Sequence, residues 1–199
     1  MSEEMTWVLQ AQQGCDEAFT NLVETYQKHV YNLCYRMLGE PESAEDAAQE
    51  TFLRAFQHIH RYDRKRPFAT WLLSIAAHYC IDRLRRRKFS MASIDQDEED
   101  GGFELPDADA PNPESEVVYN EQREQMQELL KRLDSVDRAA IVLRYWNDCS
   151  EAEIAEALNL TVSAVKSRLH RARRELAGLW QAETPRSKTE RRPHESPAF

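Results

Sequence analysis

The chain has 199 residues, 41% hydrophobic and 31% charged, with a formal net charge of −9. Five glycines are too few for a turn-dense β architecture, and no apolar run approaches the ~20 residues of a membrane-spanning helix. The acidic start MSEEMTWVLQ lacks the basic n-region and apolar core of a signal peptide, so a cytoplasmic chain without membrane insertion is expected.

Taken in chain order, the apolar spacing predicts an all-α protein. A short helix is expected around Thr6 to Gln12. Asp16 to Leu38 follows, with Phe19, Leu22, Val23, Tyr26, Val30, Leu33, Cys34, Met37 and Leu38 at three- and four-residue steps. Asp16 suits an N-cap and Gly39 the left-handed position after the helix. Ser43 with Asp46 resembles a capping box and would open the next helix, whose stripe is Ala44, Ala47, Ala48, Thr51, Phe52, Ala55 and Phe56. Asp46, Gln49, Glu50 and Leu53 fall off that stripe. HRYDRKRPF reads as a loop, because Pro67 and the clustered charge resist helix propagation. From Phe68 a helix should reach about Arg87.

Residues 91–115 are expected to be a disordered acidic linker. It contains Gly101, Gly102, Pro106, Pro111 and Pro113, and few large apolar residues to offset ordering entropy. Helices should resume from about Glu114 to Leu133, Ser135 to Trp146, Ser150 to Leu158 and Thr161 to Trp180, with a polar tail over 181–199. The expected organisation is two small helical domains, residues 1–90 (a helical bundle) and 116–180, joined by the tether.

The charge is strongly partitioned. Residues 54–90 carry ten bases and two acids, whereas Met91 to Glu116 carry ten acids and no lysine or arginine. Residues 161–180 carry five bases and one acid. The net negative total therefore hides two local basic surfaces.

The second surface lies on a helix-turn-helix. Ser150 and Glu153 form S-x-x-E, Asn159 supplies a left-handed turn residue, and Thr161 caps the following helix. Ile154, Ala155, Leu158, Val165, Leu169 and Ala172 would fill the angle. Ser163, Lys166, Ser167, His170, Arg171 and Arg174 are left on the opposite face. Lysine and arginine can bond guanine edges, and serine with a helix N-terminus suits phosphate. Arg168, Arg173 and Arg174 are read as backbone contacts or local ion-pair partners. The bland alternative is a helical hairpin with a solvated basic face.

The first surface interleaves cations with rings: Arg61, Tyr62, Arg64, Lys65, Arg66, Phe68, Trp71, His78 and Tyr79, then Arg83, Arg85, Arg86, Arg87 and Lys88. Rings stack on bases while cations follow phosphate, which is how single strands are held. Phe68 and Tyr79 are expected in the core, and Trp71 fits either role. The final cluster exceeds what a helix C-terminus needs. Cys15, Cys34, Cys80 and Cys149 form no CxxC, no histidine stands at metal-ligand spacing, and no cofactor or catalytic motif is present, so four reduced, mostly buried thiols are expected.

The order FTNLVETYQKHVYNLCYRMLG, SAEDAAQETFLRAF, FATWLLSIAAHYCIDRLRRRK, linker, LRYWNDCSEAEIAEALNLTVSAVKSRLHRARREL resembles a bacterial extracytoplasmic-function sigma factor over about 160 residues. The resemblance implies a non-enzymatic initiation subunit of RNA polymerase. Its first domain would bind the polymerase clamp coiled coil through Asp46, Gln49, Glu50 and Arg54. The same domain would melt the −10 element, with a flipped base cradled by the Arg61–Arg66 loop and with Trp71, His78, Arg83 and Arg86 nearby. Its second domain would meet the polymerase flap and read the −35 duplex through Ser163, Lys166, Ser167, His170, Arg171 and Arg174. An anti-sigma factor is a possible partner in such a family. The linker would pass through the positive cleft of the polymerase; a passive spacer, or a strap folded back on the basic faces, are the other readings. Two positions depart from the family pattern: Asp148 and Asn159 stand where glycine is usual. The competing functional class is a dimeric helix-turn-helix regulator reading a palindromic site; an enzyme is the remaining alternative, but the six histidines form no triad with the acids.

Overall fold

The computed structural model describes residues 2–93 and 113–183. The helices are α1 (Glu3–Gln12), α2 (Asp16–Leu38), α3 (Pro41–His58), α4 (Phe68–Ser93), α5 (Pro113–Arg132), α6 (Ser135–Trp146), α7 (Glu151–Ala157) and α8 (Val162–Glu183), with one 3-10 turn at Ile59–Arg61. No strand occurs among the described residues. The chain is two helical domains, α1–α4 and α5–α8. The expected acidic linker lies almost wholly outside the described residues, since α4 extends to Ser93 and α5 begins at Pro113; the expected tail lies outside them from residue 184.

Local chemistry sets the helix ends. Ser2 caps α1, accepting from the Met5 amide at 3.4 Å. Gly39 ends α2 at φ 85°, where its amide donates to Tyr35 O at 2.8 Å. Helix α3 starts two residues before the expected Ser43: Glu40 is the N-cap residue and Pro41 occupies the first helical position, where a missing N–H costs nothing. Ser43 instead donates its hydroxyl to Glu40 Oε2 at 2.9 Å. The cap of α2 is Cys15, without a side-chain bond, rather than Asp16.

The N-terminal core is built on small residues. Ala44, Ala47, Thr51 and Ala55 of α3 and Ala76, Ala77 and Cys80 of α4 let these helices approach Leu22, Val30, Leu33, Cys34 and Met37 of α2. The buried Thr51 hydroxyl is satisfied by Ala47 O at 2.7 Å. Cys34, Cys80 and Cys149 are buried free thiols, while Cys15 is exposed. Burial first, then Glu153 and Asp148, pushes the Cys149 thiol up to about 11, so it stays protonated at neutral pH.

The two domains share one continuous apolar core, and a buried cation stands at their junction. The last carbonyls of a helix have no partner within it. At the end of α2, Gln127 donates from Nε2 to Tyr35 O and Arg36 O, both at 3.1 Å, and Arg138 donates to Met37 O at 2.5 Å. The same guanidinium donates to Lys131 O at 2.6 Å and to Leu133 O at 3.4 Å, at the end of α5. Arg138 is 5% exposed. One positive charge therefore sits between the partially negative C-termini of two helices, one from each domain. The Arg36 guanidinium lies 4.8 Å above the Trp146 ring on the same seam.

Arg138→Met keeps much of the volume but leaves three carbonyls without donors. It is expected to lower the unfolding free energy by about 3 kcal/mol, read from urea denaturation of the full chain. An unchanged midpoint would show that the guanidinium contributes no net stability.

Candidate nucleic-acid interface

Helix α7 begins with a complete capping box. Ser150 Oγ accepts from the Glu153 amide at 3.2 Å, and Glu153 Oε2 accepts from the Ser150 amide at 2.8 Å and its hydroxyl at 2.6 Å. These bonds, chiefly from Ser150, hold the Glu153 carboxyl below its usual range. Asn159 makes the turn at φ 53°, and Thr161 Oγ1 accepts from the Ala164 amide at 3.2 Å to start α8. Ile154, Ala155, Leu158, Val165, Leu169 and Ala172 are all buried, as their spacing predicts. Ser163, Lys166, Ser167, His170, Arg171 and Arg174 are all exposed on α8. They form a positive ridge of the width a major groove admits.

Acids behind the ridge hold some of its cations. Asp137 of α6 bonds Arg168 at 2.5 Å and stands 4.0 Å from Arg171, and its carboxylate side chain is only 13% exposed. Arg168 is thus a local ion-pair partner. Glu151 approaches Lys166 at 3.6 Å, a surface pair of little energetic weight. Arg173 Nε donates to Leu169 O at 3.2 Å.

The loop before α4 is braced from within. Gln12 donates to Ile59 O and Tyr62 O, both at 3.0 Å. Asp63 Oδ1 accepts from the Lys65 amide at 3.0 Å. Tyr62 is buried, donates its hydroxyl to Arg66 O, and packs its ring 5.1 Å from Trp71 and 5.5 Å from Phe68. That corrects one expectation: Tyr62 braces the loop and presents no stacking face. Phe68 is buried as expected, and Trp71 is half-buried beside it. Arg61, Arg64, Lys65 and Arg66 are exposed on this frame. His78 donates from Nδ1 to Ser74 O at 2.8 Å, because a carbonyl can only accept; its Nε2 then accepts from Asn159 Nδ2 at 3.4 Å.

Farther along α4, Arg83 donates to Ser43 Oγ at 3.1 Å and lies 3.7 Å from Asp46 Oδ2. Arg86 is exposed. Arg87 pairs with Glu40 at 2.8 Å; burial opposes ionisation of Glu40, yet the Arg87 and Ser43 bonds hold its carboxyl below the usual range. On α3, Glu50 bonds Arg54 at 2.7 Å, and the Arg54 guanidinium lies 4.8 Å above the Tyr79 ring. Asp46 and Gln49 are exposed beside them. Leu53 and Phe56 are 51% and 46% exposed on the same helix, so Phe56 edges out of the stripe the spacing assigned it to, although it meets Phe19 edge-on at 5.0 Å. An apolar pair flanked by charges is the composition of a docking face.

Comparison with known proteins converges. Residues 22–90 match the Sigma-70 region 2 family and residues 123–176 match Sigma-70 region 4. The chain is 39% identical over 172 residues to the ECF RNA polymerase sigma factor SigW of Bacillus subtilis, covering 85% of this chain and 92% of that protein. The chain is an ECF RNA polymerase sigma factor. It is a transcription initiation factor that binds core RNA polymerase and directs it to promoter DNA. Among solved structures, CnrH in complex with the cytosolic domain of CnrY superposes with a TM-score of 0.65 at 26% identity, over 92% of this chain and 100% of that one. RpoE of Bartonella quintana in complex with NepR shares the fold, with a TM-score of 0.65 at 18% identity over 83% and 98%.

Within this sigma factor the two departures from the family pattern are conformational. Asp148 and Asn159 are the non-glycine residues at positive φ among the described residues, 51° and 53°. Aspartate and asparagine tolerate that region better than other side chains do, so both turns keep their geometry without glycine. No helix of the described residues is long and apolar enough to cross a membrane.

The sigma factor's Asp137 is outside the expected site set, yet it holds two arginines of α8. Asp137→Asn is expected to cost about 1 kcal/mol in stability, by urea denaturation. It should also narrow several-fold the ratio of specific to non-specific duplex binding by the polymerase-bound protein, measured by fluorescence anisotropy. Unchanged discrimination would make the pair purely structural.

Proposed function

We propose that the positive ridge of α8 reads the −35 duplex and that the braced basic loop with α4 engages the −10 element. The observation that carries this reading is the separation of labour on α8: six polar or basic residues face outward, while Val165, Leu169 and Ala172 are buried on the opposite side. Ser163 and Ser167, near the helix N-terminus, suit phosphate; Lys166, His170 and Arg171 suit base edges; Arg174 follows the backbone. Arg61, Arg64, Lys65, Arg66, Trp71, His78, Arg83 and Arg86 supply the −10 surface, with Tyr62 as its internal brace. Asp46, Gln49, Glu50 and Arg54, joined by Leu53 and Phe56, form the polymerase-binding face of α3. The domain limits we propose are those read from the sequence, residues 1–90 and 116–180.

The reading is of a factor whose work is binding, in the cytoplasm, without nucleotidyl-transfer chemistry of its own. An anti-sigma partner fits the likeness to CnrH, whose solved structure contains the cytosolic domain of CnrY.

Run-off transcription with core polymerase separates this from the regulator alternative. Added sigma factor should produce a transcript from its cognate promoter without any other sigma factor present. Lys166→Ala with Arg171→Ala should reduce that transcript at least tenfold, since a good bidentate base contact is worth about 1–3 kcal/mol of discrimination. A full-strength transcript from the double variant would remove the −35 assignment.

A further inference from the structure

The basic loop between α3 and α4 takes part of its backbone shape from a residue of α1. Gln12 Nε2 donates to Ile59 O and to Tyr62 O, both at 3.0 Å, across 47 and 50 residues of chain. Ile59 O also accepts from the Tyr62 amide at 3.0 Å, which occupies its second lone pair. One amide nitrogen serving two carbonyls fixes their separation, and with it the span of the 3-10 turn. The loop that follows carries Arg61, Arg64, Lys65 and Arg66, all exposed.

Helix α1 is itself held firmly. Val8 and Ala11 are buried against the core, and Gly14 at φ 89° turns the chain from α1 into α2. At the other end of α1, Tyr26 donates its hydroxyl to the Glu4 carboxylate. Burial first, then Glu4, pushes that hydroxyl up to about 12, so it remains a donor at neutral pH. The Tyr26 ring lies 5.6 Å from Phe68, whose ring stands 5.5 Å from Tyr62. Both ends of α1 therefore reach the frame of the loop, although α1 precedes the residues that match Sigma-70 region 2.

Exposed cations follow phosphate and carry no sequence information. A base taken out of its stack is read by polar groups at fixed positions, and such groups must be held within roughly 0.5 Å to discriminate. We propose that Gln12 is a positioning residue for base selection: through the carbonyls of Ile59 and Tyr62 it sets the loop geometry that distinguishes the captured base, while the exposed cations supply affinity for any strand. This rests on the −10 assignment above.

The test uses holoenzymes of the full-length protein and fluorescent single-stranded −10 oligonucleotides. The strands come from a promoter that the wild-type holoenzyme transcribes, with each of the four bases placed in turn at each position. The readout is the ratio of affinities for the best and worst base at a position, which does not depend on the active fraction. Gln12→Met keeps the length and removes the donor; Gln12→Glu keeps the length and polarity but offers the two carbonyls only acceptors. Gln10→Met, on the exposed face of the same helix, is the control. Both Gln12 variants should lower the ratio about fivefold at one position, the scale of a lost hydrogen bond, and Gln10→Met should retain it. Unchanged ratios at every position in both Gln12 variants, a uniform loss at all positions, or an equal loss in Gln10→Met overturns the proposal. The −10 assignment beneath it fails instead if replacing Arg61, Arg64 and Lys65 by alanine leaves the holoenzyme's affinity for every strand unchanged.

Discussion

A single buried guanidinium joins the two halves of this protein. Arg138 closes the C-termini of α2 and α5 together, and Gln127 completes the first of them. Helix ends carry half-charges and unpaired carbonyls, so a cation shared between two ends satisfies both at the cost of its own desolvation. Burial lowers the pKa of Arg138, but arginine remains protonated, so the junction does not titrate near neutrality. The other contacts across the seam follow from this placement: with α5 and α6 fixed on the end of α2, α7 falls on the start of α4.

The C-terminal domain is electrically two-sided. Glu156 of α7 turns toward Arg66 of the basic loop and Glu153 toward Thr70 of α4, while α8 turns Lys166, His170 and Arg171 outward. Asp137 and Glu151 occupy the space between, each drawing back part of a cation's reach. A negative total charge is thus compatible with nucleic-acid binding, because acids are assigned to internal partners and bases to the ridge.

Much of this was legible in the sequence where local rules dominate. The six residues that fill the helix-turn-helix angle follow from helical spacing alone, and Ser150, Glu153, Asn159 and Thr161 follow from capping chemistry. The start of α3 is harder to read, because Ser43 and Asp46 imitate a capping box while Pro41 defines the true first turn. The burial of Tyr62 is not legible, because loops have no periodicity from which burial can be read. Leu53 carried a signal, a large apolar residue off the buried stripe, whereas Phe56 did not. Gln127, Arg138, Asp137 and Glu156 could not be found locally. Only tertiary packing brings Arg138 to Met37, Gln127 to Tyr35, Asp137 to Arg168 or Glu156 to Arg66.

The central claim is that Arg138 joins the two domains into one body. The direct measurement is the distance between spin labels placed at Gln57 and Glu175, in a chain whose exposed Cys15 is replaced by serine. The full chain should give one narrow distance, and Arg138→Met should broaden it. A wild-type chain that already shows a broad distribution, or an Arg138→Met variant that keeps the narrow one, would contradict the account.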